Sequence, residues 1–128
     1  MDKDIKVLLA DDEDDFRQVM TFWLESKGYS VIAASNGESA IKMAKENSPD
    51  IIFLDLNMPV LDGVESLKKI REFDKEIPVI FISAYVDDKR VNEAFGYGLS
   101  GVFYKGKDFQ EGLALLESAL RTHKKLKK

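Results

Sequence analysis

Residues 51 to 54 read Ile-Ile-Phe-Leu, an unbroken apolar run that stops at Asp55. Four apolar side chains in a row leave no strand face for water, so this run is read as a strand buried on both sides. Such a strand needs a sheet covered above and below. Asp55 falls at its carboxyl end, where open α/β sheets place their ligands. Met58-Pro59 then forces a turn, and Asp62-Gly63 carries the chain toward a helix. Taken alone, the stretch also fits the plainer reading of a strand followed by a polar loop.

The rest of the chain repeats the pattern. Residues 5 to 10 are nearly all apolar and run into Asp11-Asp12, and residues 79 to 82 run into Ser83. Between the runs lie helical spacings. Phe16, Val19, Met20, Trp23 and Leu24 mark a first helix with Gly28 as its stop. Residues 29 to 33 make a second strand. Asn36 caps a second helix carrying Ala40, Ile41 and Ala44, and Pro49 ends it. Val64, Leu67, Ile70 and Phe73 mark a third helix. A fourth runs from about Asp87 with Val91, Ala94 and Phe95, stopping near Gly96 or Gly98. Residues 101 to 104 are a fifth strand, and Phe109, Leu113, Leu116 and Leu120 share one face of a last helix. Five strands alternating with five helices predict a single α/β domain over residues 1–128, with a parallel sheet covered by helices on both faces. Right-handed crossovers leave few topologies, and the expected strand order is 2-1-3-4-5, a flavodoxin-like sheet with its crevice beside strands 1 and 3.

Composition removes several alternatives. No run approaches the ~20 apolar residues that span a bilayer. The start runs straight into a strand pattern, so no signal peptide and a cytoplasmic location are expected. There is no cysteine, and the one histidine, His123, lies in a basic tail. Thiolate and histidine metal cages are therefore excluded. A net charge of -4 gives no overall pull toward nucleic acid. The tail Lys124-Lys125-Leu126-Lys127-Lys128 reads as favourable cations at a fraying helix end.

In the expected strand order, Asp11, Asp12 and Asp55 converge on one crevice. Carboxylates that close raise each other's pKa or need a counter-charge. Oxygen-only ligands favour magnesium, with manganese able to replace it. Asp12 and Asp55 are the expected direct ligands, Asp11 acts mostly through water, and the backbone carbonyl of Asn57 completes the set. A helix start explains Glu13, Asp14 and Asp15 equally well. It does not explain Asp55 on the neighbouring strand. Ser83 ends strand 4 and Lys105 ends strand 5, and a hydroxyl and an ammonium beside a metal-bound carboxylate suit a phosphoryl group.

With Asp11-Asp12-Glu13, Asp55-Leu56-Asn57-Met58-Pro59, Asp62-Gly63, Ser83-Ala84 and Lys105 in place, the chain resembles response-regulator receiver domains of two-component signalling. It is similar over nearly its whole length to single-domain chemotaxis-type regulators. The resemblance implies that Asp55 accepts a phosphoryl group from a histidine kinase or phosphotransfer protein. It implies that Asp11 and Asp12 organise magnesium, and that Ser83 and Lys105 bind phosphoryl oxygens. It implies a switch that promotes its own phosphorylation and dephosphorylation rather than an enzyme, a monomer or phosphorylation-linked dimer, and a partner surface on helix 4, strand 5 and helix 5. The last helix takes up the remaining residues. The chain is therefore expected to act through a partner, as a relay intermediate or as part of a longer protein.

Two positions depart from the family pattern. Gly106 follows Lys105 where proline is usual, and a trans bond is expected there. Val102 stands where an aromatic switch residue is usual, with Tyr104 two residues on and on the same side of the strand. The resemblance also marks Asn57 and Tyr85 as rate-setting neighbours of the phosphoryl group. Tyr85 either covers the approach of water, or points to solvent or toward strand 5. Three alternatives compete. A haloacid-dehalogenase-type phosphatase needs an aspartate where Asn57 stands and leaves Asp11-Asp12 without a role. A flavin module needs a phosphate loop where this chain has acids. A degenerate receiver used only for binding does not need the full acid, hydroxyl and lysine set.

Overall fold

The computed structural model describes residues 4–85 and 88–123. Asp87, the expected start of the fourth helix, and the tail at 124–128 lie outside the described residues. Five strands and five helices alternate: β1 Lys6–Ala10, α1 Asp14–Ser26, β2 Ser30–Ala34, α2 Gly37–Asn47, β3 Ile51–Asp55, α3 Gly63–Phe73, β4 Val79–Ser83, α4 Arg90–Phe95, β5 Leu99–Tyr104 and α5 Phe109–Thr122. All neighbouring strands pair in parallel, in the order β2-β1-β3-β4-β5. This is the flavodoxin-like arrangement expected from the sequence.

The period of two along each strand divides the core. Leu8, Ala10, Ile52, Leu54 and Phe81 face α2, α3 and α4, where Ala40, Leu67, Ile70 and Ala94 complete one layer. Val7, Leu9, Ile51, Phe53, Ile80 and Ile82 face α1 and α5, meeting Met20, Leu24, Leu116 and Leu120. Every residue of β3 and β4 is buried, which is why their runs carry no alternation.

Helix starts follow local chemistry. Asn36 accepts from the Ser39 N–H at 2.8 Å. Asp62 accepts from the Glu65 N–H at 2.9 Å while the Glu65 side chain accepts from the Asp62 N–H at 3.2 Å, a reciprocal capping box. Between β3 and α3 the chain makes a three-residue turn. The Leu61 N–H bonds the Pro59 carbonyl at 2.9 Å, with Val60 at φ 74°. Gly63 then lets α3 approach the strand end: a Cβ there would lie 2.8 Å from the Asp55 carbonyl oxygen.

Several expectations are corrected. β2 and β5 are displaced by one or two residues from their predicted bounds, and β1 starts at Lys6. α4 is shorter than expected, because Asp88 accepts from the Arg90 N–H at 3.0 Å and this local turn competes with helix. Val19, Phe73 and Phe95, assigned to buried faces, are exposed. Val19 lies about 100° around the helix from Met20. Phe73 and Phe95 are the last residues of their helices.

Candidate functional site

Parallel pairing brings the carboxyl ends of β1, β3, β4 and β5 to one edge. Asp11 follows β1 and is fully buried; Asp55 is the last residue of β3 and is 2% exposed. Ser83 is the last residue of β4 and is fully buried. Lys105 follows β5, and its N–H bonds the Ser83 carbonyl at 2.8 Å, continuing the strand ladder by one residue.

The Lys105 ammonium lies 3.1 Å from Asp11 Oδ2 and 3.5 Å from Asp55 Oδ2. It also pairs with Glu13, and it sits 4.8 Å from the centre of the Phe16 ring. Glu13 is the residue preceding α1, so the helix-start reading was incomplete: its side chain turns back to the lysine. Gly106 adopts φ 90°, a conformation open to glycine and closed to proline. No cis peptide occurs among the described residues. Lys105 thus reaches the carboxylates through a turn built on glycine.

Carboxylate oxygens of Asp11, Asp12 and Asp55 lie within 4.8 Å of one another. Asp12 is exposed, so the cluster opens to solvent on one side. Asp11 Oδ2 is buried and close to the ammonium, yet no donor is aligned on it as a hydrogen bond. Burial, then the Asp11 charge, pushes the Asp55 carboxyl up to about 7, against the opposing Asn57 N–H and Lys105. Burial lowers Lys105, but Glu13, Asp11 and Asp55 outweigh it and hold the ammonium above its ordinary value. Three hard anionic oxygens, one of them lacking an aligned donor, fit a small divalent cation.

The remaining sequence-marked residues sit around this cluster. The Asn57 N–H bonds Asp55 Oδ1 at 3.1 Å. The Ser83 hydroxyl donates to the Tyr85 carbonyl at 2.7 Å and accepts from the Tyr85 N–H at 3.1 Å, so it is engaged by its own loop. The Tyr85 side chain is 67% exposed and turned to solvent. Val102 packs against the core layer facing α2, α3 and α4, and Tyr104 is half-buried.

Sequence reasoning missed two arginines. Arg17 donates to the Asp11 carbonyl at 2.7 Å. Arg90 donates to Asn57 Oδ1 at 2.7 Å, across 33 positions. Arg17 was legible as one helical turn beyond the acids. Nothing local marks the reach of Arg90 to Asn57, because the two come together only when β3 and β4 pair.

The response regulator receiver domain family matches this chain over residues 7–117. The alkaline phosphatase synthesis transcriptional regulatory protein PhoP of Bacillus subtilis is 36% identical over 104 residues, covering 81% of this chain and 42% of that protein. The transcriptional regulatory protein SrrA of Staphylococcus aureus is 32% identical over 116 residues, covering 91% of this chain and 48% of that protein. The chain spans less than half the length of these relatives. Among solved structures, chemotaxis response regulator CheY4 of Vibrio cholerae aligns with a TM-score of 0.86 at 29% identity, covering 92% of this chain and 100% of that one. The CheX-CheY-BeF3-Mg complex of Borrelia burgdorferi gives a TM-score of 0.85 at 32% identity, with coverages of 91% and 89%.

Proposed function

The chain belongs to the response regulator receiver domain family, and from that premise we propose that it is a phosphoacceptor switch whose nucleophile is Asp55. One observation carries the reading: a buried carboxylate at the end of the central strand, within 3.5 Å of the Lys105 ammonium and beside two further aspartates. An Asp55 oxygen attacks phosphorus in line. The bond from phosphorus to the donor histidine nitrogen breaks, and that nitrogen keeps the electron pair and takes a proton. Asp55 must be ionised to attack, and its carboxyl, raised to about 7, is held partly protonated by burial and by Asp11. Lys105 opposes that effect and pairs with a phosphoryl oxygen as charge develops.

Asp12 and Asp55 directly, Asp11 mostly through water, and the Asn57 backbone carbonyl would hold magnesium. When bound there, magnesium supplies positive charge to offset the carboxylates and the phosphoryl oxygens. A relative in the family was crystallised with magnesium and BeF3, which supports the assignment. The phosphoryl group adds about -1.5 to -2 charges at one point. The Ser83 hydroxyl then has a stronger acceptor than the Tyr85 carbonyl, and its transfer frees the loop after β4. The surface of α4, β5 and α5, where Phe95 and Tyr97 are exposed, is the proposed partner face. The donor is a histidine kinase or phosphotransfer protein.

Acetyl phosphate tests the reading without a cognate kinase. Wild-type protein should gain the mass of one phosphoryl group with magnesium and little with a chelator. Asp55→Asn should gain none in either case. Full labelling of Asp55→Asn removes the assignment.

A further inference from the structure

One side chain, Arg90, ties the start of α4 to the loop that leaves Asp55. Asp88 holds its guanidinium from behind, with Nε 3.0 Å from Oδ1 and Nη2 2.6 Å from Oδ2. The Arg90 hydrogen bond in turn keeps the Asp88 carboxyl below the usual range. The remaining donor capacity faces the β3–α3 loop. Nη2 donates to Asn57 Oδ1 at 2.7 Å, Nη1 donates to the Leu56 carbonyl at 3.3 Å, and Nη1 lies 3.7 Å from Asp62 Oδ2. The Asn57 N–H itself bonds Asp55 Oδ1. The arginine is therefore one residue removed from the nucleophile, and the chemistry proposed above gives it no role.

Arg90 Nη2, at 2.7 Å, takes one of the two lone pairs of the Asn57 amide oxygen and fixes which way the other points. An asparagine beside an acyl phosphate offers a water molecule an acceptor only through that oxygen. We propose that Arg90 is a positioning residue that keeps the Asn57 oxygen away from the phosphoryl group and so lengthens the life of phosphorylated Asp55. This rests on the phosphoacceptor reading. In the step it restrains, water oxygen bonds to phosphorus and the bond from phosphorus to the Asp55 oxygen breaks. Asp55 leaves as a carboxylate, and both water protons stay on the departing phosphate. With Arg90 engaged, the Asn57 side chain is held toward the start of α4 and away from that water. With Arg90 removed, it is free to turn and orient it.

The test compares wild type, Arg90→Met, Arg90→Lys, Asn57→Ala and Arg90→Met with Asn57→Ala. Arg90 is one-third exposed, so Arg90→Met is expected to fold. After labelling with acetyl phosphate and its removal, Arg90→Met should decay about three- to tenfold faster than wild type, the value of one hydrogen bond. Arg90→Lys, which retains one donor, should fall between. In the Asn57→Ala background, Arg90→Met should change nothing. In metal-free, unphosphorylated protein, the Asn57 side-chain amide resonances should shift and broaden in Arg90→Met. Unchanged amide resonances overturn the positioning claim whatever becomes of the phosphoryl reading. Equal acceleration with and without Asn57 overturns it too, because the arginine would then act elsewhere. Failure of wild type to label removes the phosphoacceptor reading, and the proposed role for Arg90 with it.

Discussion

Asp55 is buried among like charges, and that sets its behaviour without a cation. Its carboxyl is raised to about 7 in the folded protein, against an ordinary value near 4 in the unfolded chain. The folded state therefore binds the proton more tightly, and metal-free stability should fall as pH rises from the unfolded value near 4 through the folded value of about 7. Ionising Asp55 costs as much as about 4 kcal/mol over that window. Asp55→Asn should remove this component and be more stable than wild type at pH 8. Denaturant melts of both proteins across the window check it, and parallel curves contradict it. At this scale the strand-end residues were legible, because each apolar run stops at a polar side chain. Asp11, Asp12, Asp55 and Lys105 do come together. The Glu13 contact with Lys105 was hidden behind an equally good local role for an acid at a helix start. The reach of Arg90 to Asn57 had no local signal at all.

The β3–α3 connection holds two features of backbone origin. Val60 is a β-branched residue at φ 74° and is 71% exposed, so it bears strain with little packing in return. Val60→Gly should stabilise the fold by about 1 kcal/mol, the relief of strain less the added freedom of the unfolded chain. A lower midpoint in denaturant would contradict this. Gly63 is the opposite case: an added Cβ would meet the Asp55 carbonyl oxygen at 2.8 Å and Leu56 Cα at 2.9 Å. Neither backbone atom can swing aside, so Gly63→Ala should cost roughly 2 kcal/mol. It should also slow labelling of Asp55, by shifting the strand end; unchanged stability and labelling would contradict the close approach. Element types and order were readable from spacing alone. Bounds were not, because strand ends depend on partners. α4 was overextended because the Asp88 turn takes up the residues that precede it.

Across the whole molecule, the clustered carboxylates should link stability to the cation. Binding only the native state adds RT ln(1 + [L]/Kd), or about 2.7 kcal/mol at 100 Kd of magnesium. Asp12→Ala should lose most of that gain, and an equal response of both proteins to magnesium would contradict the proposed ligand set. Among the described residues no helix is long and apolar enough to cross a membrane. Right-handed crossovers between short βα units left few sheet orders, and the choice of 2-1-3-4-5 among them came with the resemblance to receiver domains rather than independently from the spacing. The central claim is that one carboxylate, Asp55, carries the phosphoryl group. An aspartyl phosphate is an acyl phosphate, and borohydride reduces it to homoserine while leaving free carboxylates intact. Wild-type protein labelled with acetyl phosphate, reduced and digested should yield homoserine at position 55 alone. Homoserine at position 11 or 12, or no homoserine in fully labelled protein, would contradict the account.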